Sequence, residues 1–164
     1  MATYAAFLRK LQIIDLIAMA GPIIDANTSE LLQVQKDQLF QGVDNQGNKL
    51  MSILDDPFFK TKQKAWDYAV WKEKIAQRYG FLTPFAQPNL FINGFTHDTI
   101  YIQRNGSMIT TLATAPWAGS IAQKYGGREF GFNNDSHSYI WNKIIKPDEL
   151  RTVSRLLGCK IITR

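Results

Sequence analysis

Residues 99–112 constrain the fold of this chain more than any other stretch. Thr99, Ile100, Tyr101 and Ile102 are β-branched or aromatic, and Met108, Ile109, Thr110, Thr111 and Leu112 repeat that composition. Between them, Arg104, Asn105, Gly106 and Ser107 supply the residues of a tight reversal. Two short strands this close in sequence pair antiparallel. A hairpin alone is marginal in water, so other elements must cover one of its faces.

Helices surround it. Residues 60–79 give the strongest helical pattern, with Tyr68, Trp71, Ile75 and Tyr79 on one stripe and Gly80 behind the end. Thr3 caps an earlier helix carrying Tyr4, Phe7, Leu8, Leu11, Ile14 and Ala18, which Gly21 and Pro22 should stop. Residues 23–50 are mixed, open to short strands or a turn of helix, apart from a turn at 42–48. Asp55, Asp56 and Pro57 look like a helix start. Residues 90–92 read as a further strand. Trp117 to Tyr125 forms a short helix, Asp135 or Ser136 caps another, and Pro147 stops or kinks it before Asp148 restarts a last one. The order predicts an α+β fold: a small antiparallel sheet with a central hairpin at about 99–112, packed by several helices. At 164 residues the chain reads as one domain. Its residues 1–20 either pack within the domain or form an N-terminal helical arm.

Composition narrows the chemistry. A single cysteine, Cys159, excludes an internal disulfide and a cysteine metal cluster. No apolar run reaches the length of a membrane span, and no cleavage site follows a continuous apolar core, so the expectation is a soluble, non-secreted protein. His97 with Asp98 is the one neighbouring histidine–acid pair, and it falls in a turn where aspartate is common for backbone reasons. His137 sits among cap-forming residues. The two histidines lack ligand spacing, so no metal or other cofactor is expected. Asp55, Asp56, Asp148 and Glu149 lie where helix N-termini favour negative charge. Glu129 is a lone carboxylate. Gly126, Gly127 and Arg128 lack the lysine and the strand context of a phosphate loop. No enzyme signature emerges.

The formal charge of +5 is uneven. Lys60, Lys62, Lys64, Lys72, Lys74 and Arg78 face only Asp67 and Glu73 within 60–79, interleaved with Trp66 and Trp71. This is either a solvated helix face or a surface for nucleic acid or an acidic neighbour. A small basic nucleic-acid-binding protein is therefore the alternative function.

The block Gln38, Leu39, Phe40, Gln41, Gly42, Val43, Asp44, Asn45, Gln46, Gly47 is a polar turn with no reactive group. It fits a pattern of Gln-Leu, two residues, Gly, x, Asp, x, x, Gly. Leu90 to Phe95 is matched to a second pattern, a Leu-x-x-x-Gly-x-Phe strand entry, with Phe95 here directly after Gly94. Tyr125, Gly126, Phe130, Gly131, Phe132 and Pro147 follow in the order of a third. In this sequence they resemble a family of small virion proteins of crAss-like and related gut-bacterial tailed phages. The likeness spans about residues 34–150. The 51–89 stretch departs from it in polar and aromatic content, and the C-terminal helix is short. The resemblance implies a non-enzymatic head–tail connector, tail-completion or neck-ring subunit, virion-morphogenesis-like. Such a subunit is made in the host bacterial cytoplasm and resides in the virion neck or tail. Its partners would be further copies in a homomeric ring, other neck, portal-proximal or tail proteins, and DNA in passage, with no membrane. A ring needs two different contact patches. The candidates are the turn Asp44, Asn45, Gln46, Gly47 and Asn48, and the aromatics Trp117, Tyr125, Phe130 and Phe132; those aromatics equally suit the subunit's own core. The basic residues Lys60, Lys62, Lys64, Lys72, Lys74 and Arg78 are the candidates for a lumen or DNA-facing surface.

Overall fold

A computed structural model of the chain describes residues 14–106 and 108–158; the expected helix cap at Thr3 and Cys159 lie outside them. The elements run α1 (Leu16–Ala26), α2 (Thr28–Phe40), a 3-10 turn (Ile53–Asp55), α3 (Lys62–Tyr79) and a single helical turn α4 (Phe95–Asp98). There follow β1 (Ile100–Asn105), β2 (Met108–Ala113), α5 (Ala118–Tyr125), α6 (Asn134–Tyr139), a π-helical segment (Ile140–Ile145) and α7 (Lys146–Leu157). The fold is α+β, with a two-stranded antiparallel sheet among helices.

The hairpin forms in the register its sequence specifies, from Ile100 opposite Ala113 to Asn105 opposite Met108. Ile102 and Ile109 turn inward against a core of Ile24, Leu31, Phe132, Ile140 and Ile144. Each of these fully buried aliphatic or aromatic side chains contributes about 1.5–3 kcal/mol. Tyr101 and Met108 stay on the exposed face. A second, smaller core joins Ile53, Ala69 and Ala86, with Phe59 and Tyr68 against it.

Several boundaries differ from expectation. Gly21 and Pro22 do not end α1. The chain continues helically to Ala26 with Pro22 inside the helix and its ring exposed. Gly21 makes room for Arg104, since a Cβ there would lie 3.0 Å from Arg104 Nη1. That guanidinium grips Asp25 with two hydrogen bonds, Nε to Oδ1 at 2.9 Å and Nη2 to Oδ2 at 2.7 Å. Residues 28–40 are a helix rather than strands. The ambiguity came from glutamines at core positions, since Leu31, Gln35, Gln38 and Leu39 form the buried face.

Residues 90–92 are not a strand. They belong to a loop in which Ala86 (φ +59°) and Leu90 (φ +53°) adopt the left-handed conformation, incompatible with an extended ladder. Asp55 and Asp56 do not start α3; Ser52 caps the 3-10 turn and Thr61 Oγ1 accepts the Lys64 N–H at 3.3 Å to cap α3. Asn133, rather than Asp135 or Ser136, caps α6, its Oδ1 accepting the Ser136 N–H at 2.8 Å. Pro147 interrupts nothing. It is the second residue of α7, and the π-helical segment leads directly into that helix, so the chain stays helical through the proline although one backbone donor is lost.

Candidate functional site

The polar turn is built from its own residues upward. Asp44 Oδ1 accepts the backbone N–H of Gln46 at 2.9 Å and of Asn48 at 2.8 Å, closing the turn around its own carboxylate. Val43 bridges back to Lys49. Gly42 carries φ +66°, and an added Cβ there would lie 2.3 Å from Gln87 Cγ and 2.7 Å from Pro88 O, so both the backbone and the space require glycine. Gln87 Nε2 uses that closeness to donate to the carbonyls of Gly42 and Leu50, both at 2.9 Å.

The turn then docks on a segment more than eighty residues away. Asn45 N–H donates to Arg128 O at 2.8 Å, and Asn45 Nδ2 to Phe130 O at 3.1 Å. Gln38 Nε2 donates to Gly131 O at 2.9 Å, while its Oε1 accepts from Asn133 N and Ser136 Oγ, each at 3.0 Å. Gln35 Oε1 accepts the Gly131 N–H at 2.8 Å. The sequence carries no local mark of this role, because which face of α2 is buried depends on partners more than ninety residues away. Glutamines are buried only when their amides find partners.

The 87–97 loop closes the other side. Lys72 is buried on the inner face of α3, and its Nζ donates to Asn89 Oδ1 at 2.6 Å and to the carbonyl of Phe91. His97 Nε2–H donates to Asn89 O at 2.9 Å, its ring lying 4.4 Å from Phe40 and 5.4 Å from Phe91, centroid to centroid. Burial lowers both groups: the ammonium of Lys72 to about 8, and the imidazole of His97 below its ordinary value. His97 thus ties a loop, and Asp98 points away to a 3.9 Å ion pair with Lys36.

Beside this hub lies an apolar cavity of about 500 Å3, walled by Phe59, Tyr68, Trp117, Ile121 and Tyr125. Asp56 and Lys124 pair across its wall. Burial, with the charges of Asp56 and Glu129, pushes the Tyr125 phenol up to about 12, and burial raises Tyr68. Glu129 is fully buried with neither carboxylate oxygen partnered among the described residues, and burial raises it. Glu129 carried no signal in the sequence beyond its charge.

The expected site residues divide. Asp44, Tyr125 and Phe132 are buried in their own subunit and leave the candidate contact surface, as does Asn45, whose amide is consumed within the chain. Gln46, Gly47, Asn48 and Trp117 are exposed, and Phe130 is partly so. Trp117 Nε1 donates to Thr96 Oγ1 at 2.7 Å, which fixes the indole against Phe95. Among the basic residues, Lys60, Lys62, Lys64, Lys74 and Arg78 are exposed, whereas Lys72 is not and cannot face a lumen. Of the stripe Tyr68, Trp71, Ile75 and Tyr79, Ile75 is buried, Tyr68 is partly buried, and Trp71 and Tyr79 are exposed. Ala65, Ala69, Lys72, Ile75 and Ala76 face inward, and Trp66, Trp71 and Tyr79 face out. Small alanines let the helix lie close against the Ile53 turn, which large rings would prevent.

No protein-family model matches this chain, and no curated protein or solved structure matches it. No described helix is long and apolar enough to cross a membrane, and no group of metal-binding side chains gathers among the described residues.

Proposed function

We propose that this chain is a structural subunit of a tailed-phage virion, assembled as a homomeric ring in the neck or tail and acting without catalysis. One observation supports the reading above the others. The three separated marks that carry the family resemblance converge on one unit. Gln38 and Asn45 of the first bind the 128–133 segment of the third. Phe40 packs on Phe91 of the second at 5.8 Å, and Gly42 abuts Gln87 and Pro88 just before it. Residues that serve one buried unit are those a family built on this scaffold would share, whatever its surface contacts. Exposed Gln46, Gly47 and Asn48, with partly exposed Phe130 beside their turn, form one group, and exposed Trp117, held against Phe95 and Thr96, forms a second, unlike one for a head-to-tail contact. Other neck, portal-proximal or tail proteins would stack on the ring.

The test is direct. Purified protein, alone or with neighbouring virion proteins, should form rings in electron micrographs and a matching mass by light scattering. Mass spectrometry of virions should find it at a fixed copy number relative to the portal. Its absence from purified virions would refute the reading.

A second reading has its own support. Trp66 and Trp71 are exposed beside Lys62, Lys64 and Lys74, the combination that neutralises phosphates and stacks on bases. A salt-dependent DNA mobility shift would favour it, and no binding at low salt would remove it.

A further inference from the structure

α3 carries two indoles and Val70 between polar and charged residues on a face that its own fold leaves uncovered. Gln63, Trp66, Asp67, Val70, Trp71 and Lys74 recur at helical spacing on one face and line a groove of about 410 Å3. Trp66 leans on Phe85, with ring centroids 5.0 Å apart, and Trp71 leans on Tyr68 at 5.3 Å. The two indoles remain 50% and 43% exposed, with Val70 between them along the helix. An exposed strip of this kind on an 18-residue helix marks a contact surface.

The charges along this face select its partner. Suppose two copies of α3 lie antiparallel about a two-fold axis between Val70 and Trp71. Val70 of each copy then meets Trp71 of the other, and Asp67 meets Lys74 twice by symmetry. Gln63 falls opposite Arg78, and Lys64 opposite Gln77, so no like charges oppose one another. A parallel pairing would set Asp67 on Asp67 and Lys74 on Lys74. Asp67 in the middle of the strip also repels a phosphate backbone. We infer that the outer face of α3 pairs antiparallel with the same face of a second copy, each Trp71 seated over Val70 of its mate.

This contact is isologous, one patch against itself, whereas a ring contact joins two different patches. It therefore stands or falls apart from the ring reading. The test uses the full-length protein in the C159S background. The protein should show a concentration-dependent monomer–dimer equilibrium in sedimentation, and V70C should cross-link as a disulfide dimer under mild oxidation. D67K alone and K74D alone should each raise the dissociation constant about 10- to 100-fold, since each variant sets two like-charged pairs in the interface. The double variant D67K/K74D should restore it. Trp66, Asp67, Val70, Trp71 and Lys74 all lie outside the buried face of one helix, so circular dichroism should report the same fold in every variant. A monomer at all concentrations would overturn the inference. So would a dimer indifferent to both single reversals, or a DNA complex lost in W66A and W71A with no dimer formed.

Discussion

Replacing Gly42 and Gly47 separately by alanine should have unequal effects, although both glycines share one turn and both have positive φ. Gly47, at φ +82°, has nothing within 4 Å of an added Cβ, so Gly47→Ala should cost only the left-handed backbone preference, about 1–2 kcal/mol. Gly42→Ala incurs the same preference and also a collision, with the new Cβ 2.3 Å from Gln87 Cγ and 2.7 Å from Pro88 O. Gln87 must move, which loosens its hydrogen bonds to the Gly42 and Leu50 carbonyls. Each bond is worth about 0.5–1.5 kcal/mol, with more lost where a carbonyl is left buried and unpaired. The total for Gly42→Ala is about 3–5 kcal/mol, a large part of an ordinary domain's stability. Urea unfolding followed by tryptophan fluorescence should separate the two variants by about 2 kcal/mol or more, at unchanged slope. Equal losses in the two would refute the account of the 42–50 turn as a unit locked by Gln87.

Stability should also depend on pH through the buried amine. Lys72 titrates at about 8 in the fold and 10.5 unfolded, so between those values the unfolded chain holds more protons and stability rises with pH. The full difference is about 3 kcal/mol. Below pH 8 that cost is fully present. His97, lowered by burial, acts in the same direction at lower pH, with stability lost as pH falls below its ordinary value near 6.5. Tyr125, raised to about 12 from 10.0, acts oppositely, with stability falling as pH climbs through that window. Thermal melts from pH 7 to 9.5 should therefore show a rise that Lys72→Met abolishes; a rise that persists in that variant would disprove the assignment. Gln38→Leu removes the amide that binds Gly131, Asn133 and Ser136, and should cost about 2–4 kcal/mol in urea unfolding. The exposed Gln33→Leu should change stability by under about 0.5 kcal/mol, and a similar loss in both would count against the docked turn.

Local chemistry made part of this protein legible. The hairpin was readable because β-branched residues flank a turn whose composition forces reversal, and both signals lie within a few residues. The turn at 42–48 was readable for the same reason, since Asp44 bonds to backbone only two and four residues on. The end of α3 at Gly80 needed no distant partner either. Burial, by contrast, is a property of what lies opposite. The side of α3 that faces inward was settled by Ile53 and Ala86, which accept alanines and would exclude tryptophans. Whether Lys72 is a surface cation or a buried hub depended on Asn89 and the Phe91 carbonyl, whose loop adopts left-handed residues that no periodicity announces. Gln35 and Gln38 look like solvent residues until the 128–133 segment offers them partners. The sequence by itself determined the class of fold, the hairpin and the polar turn, because those follow from torsional preference and near-neighbour hydrogen bonds. Only the tertiary structure decided which charges are buried, which aromatics remain in water, and that three scattered marks form one unit, because each depends on contacts between residues far apart in the chain.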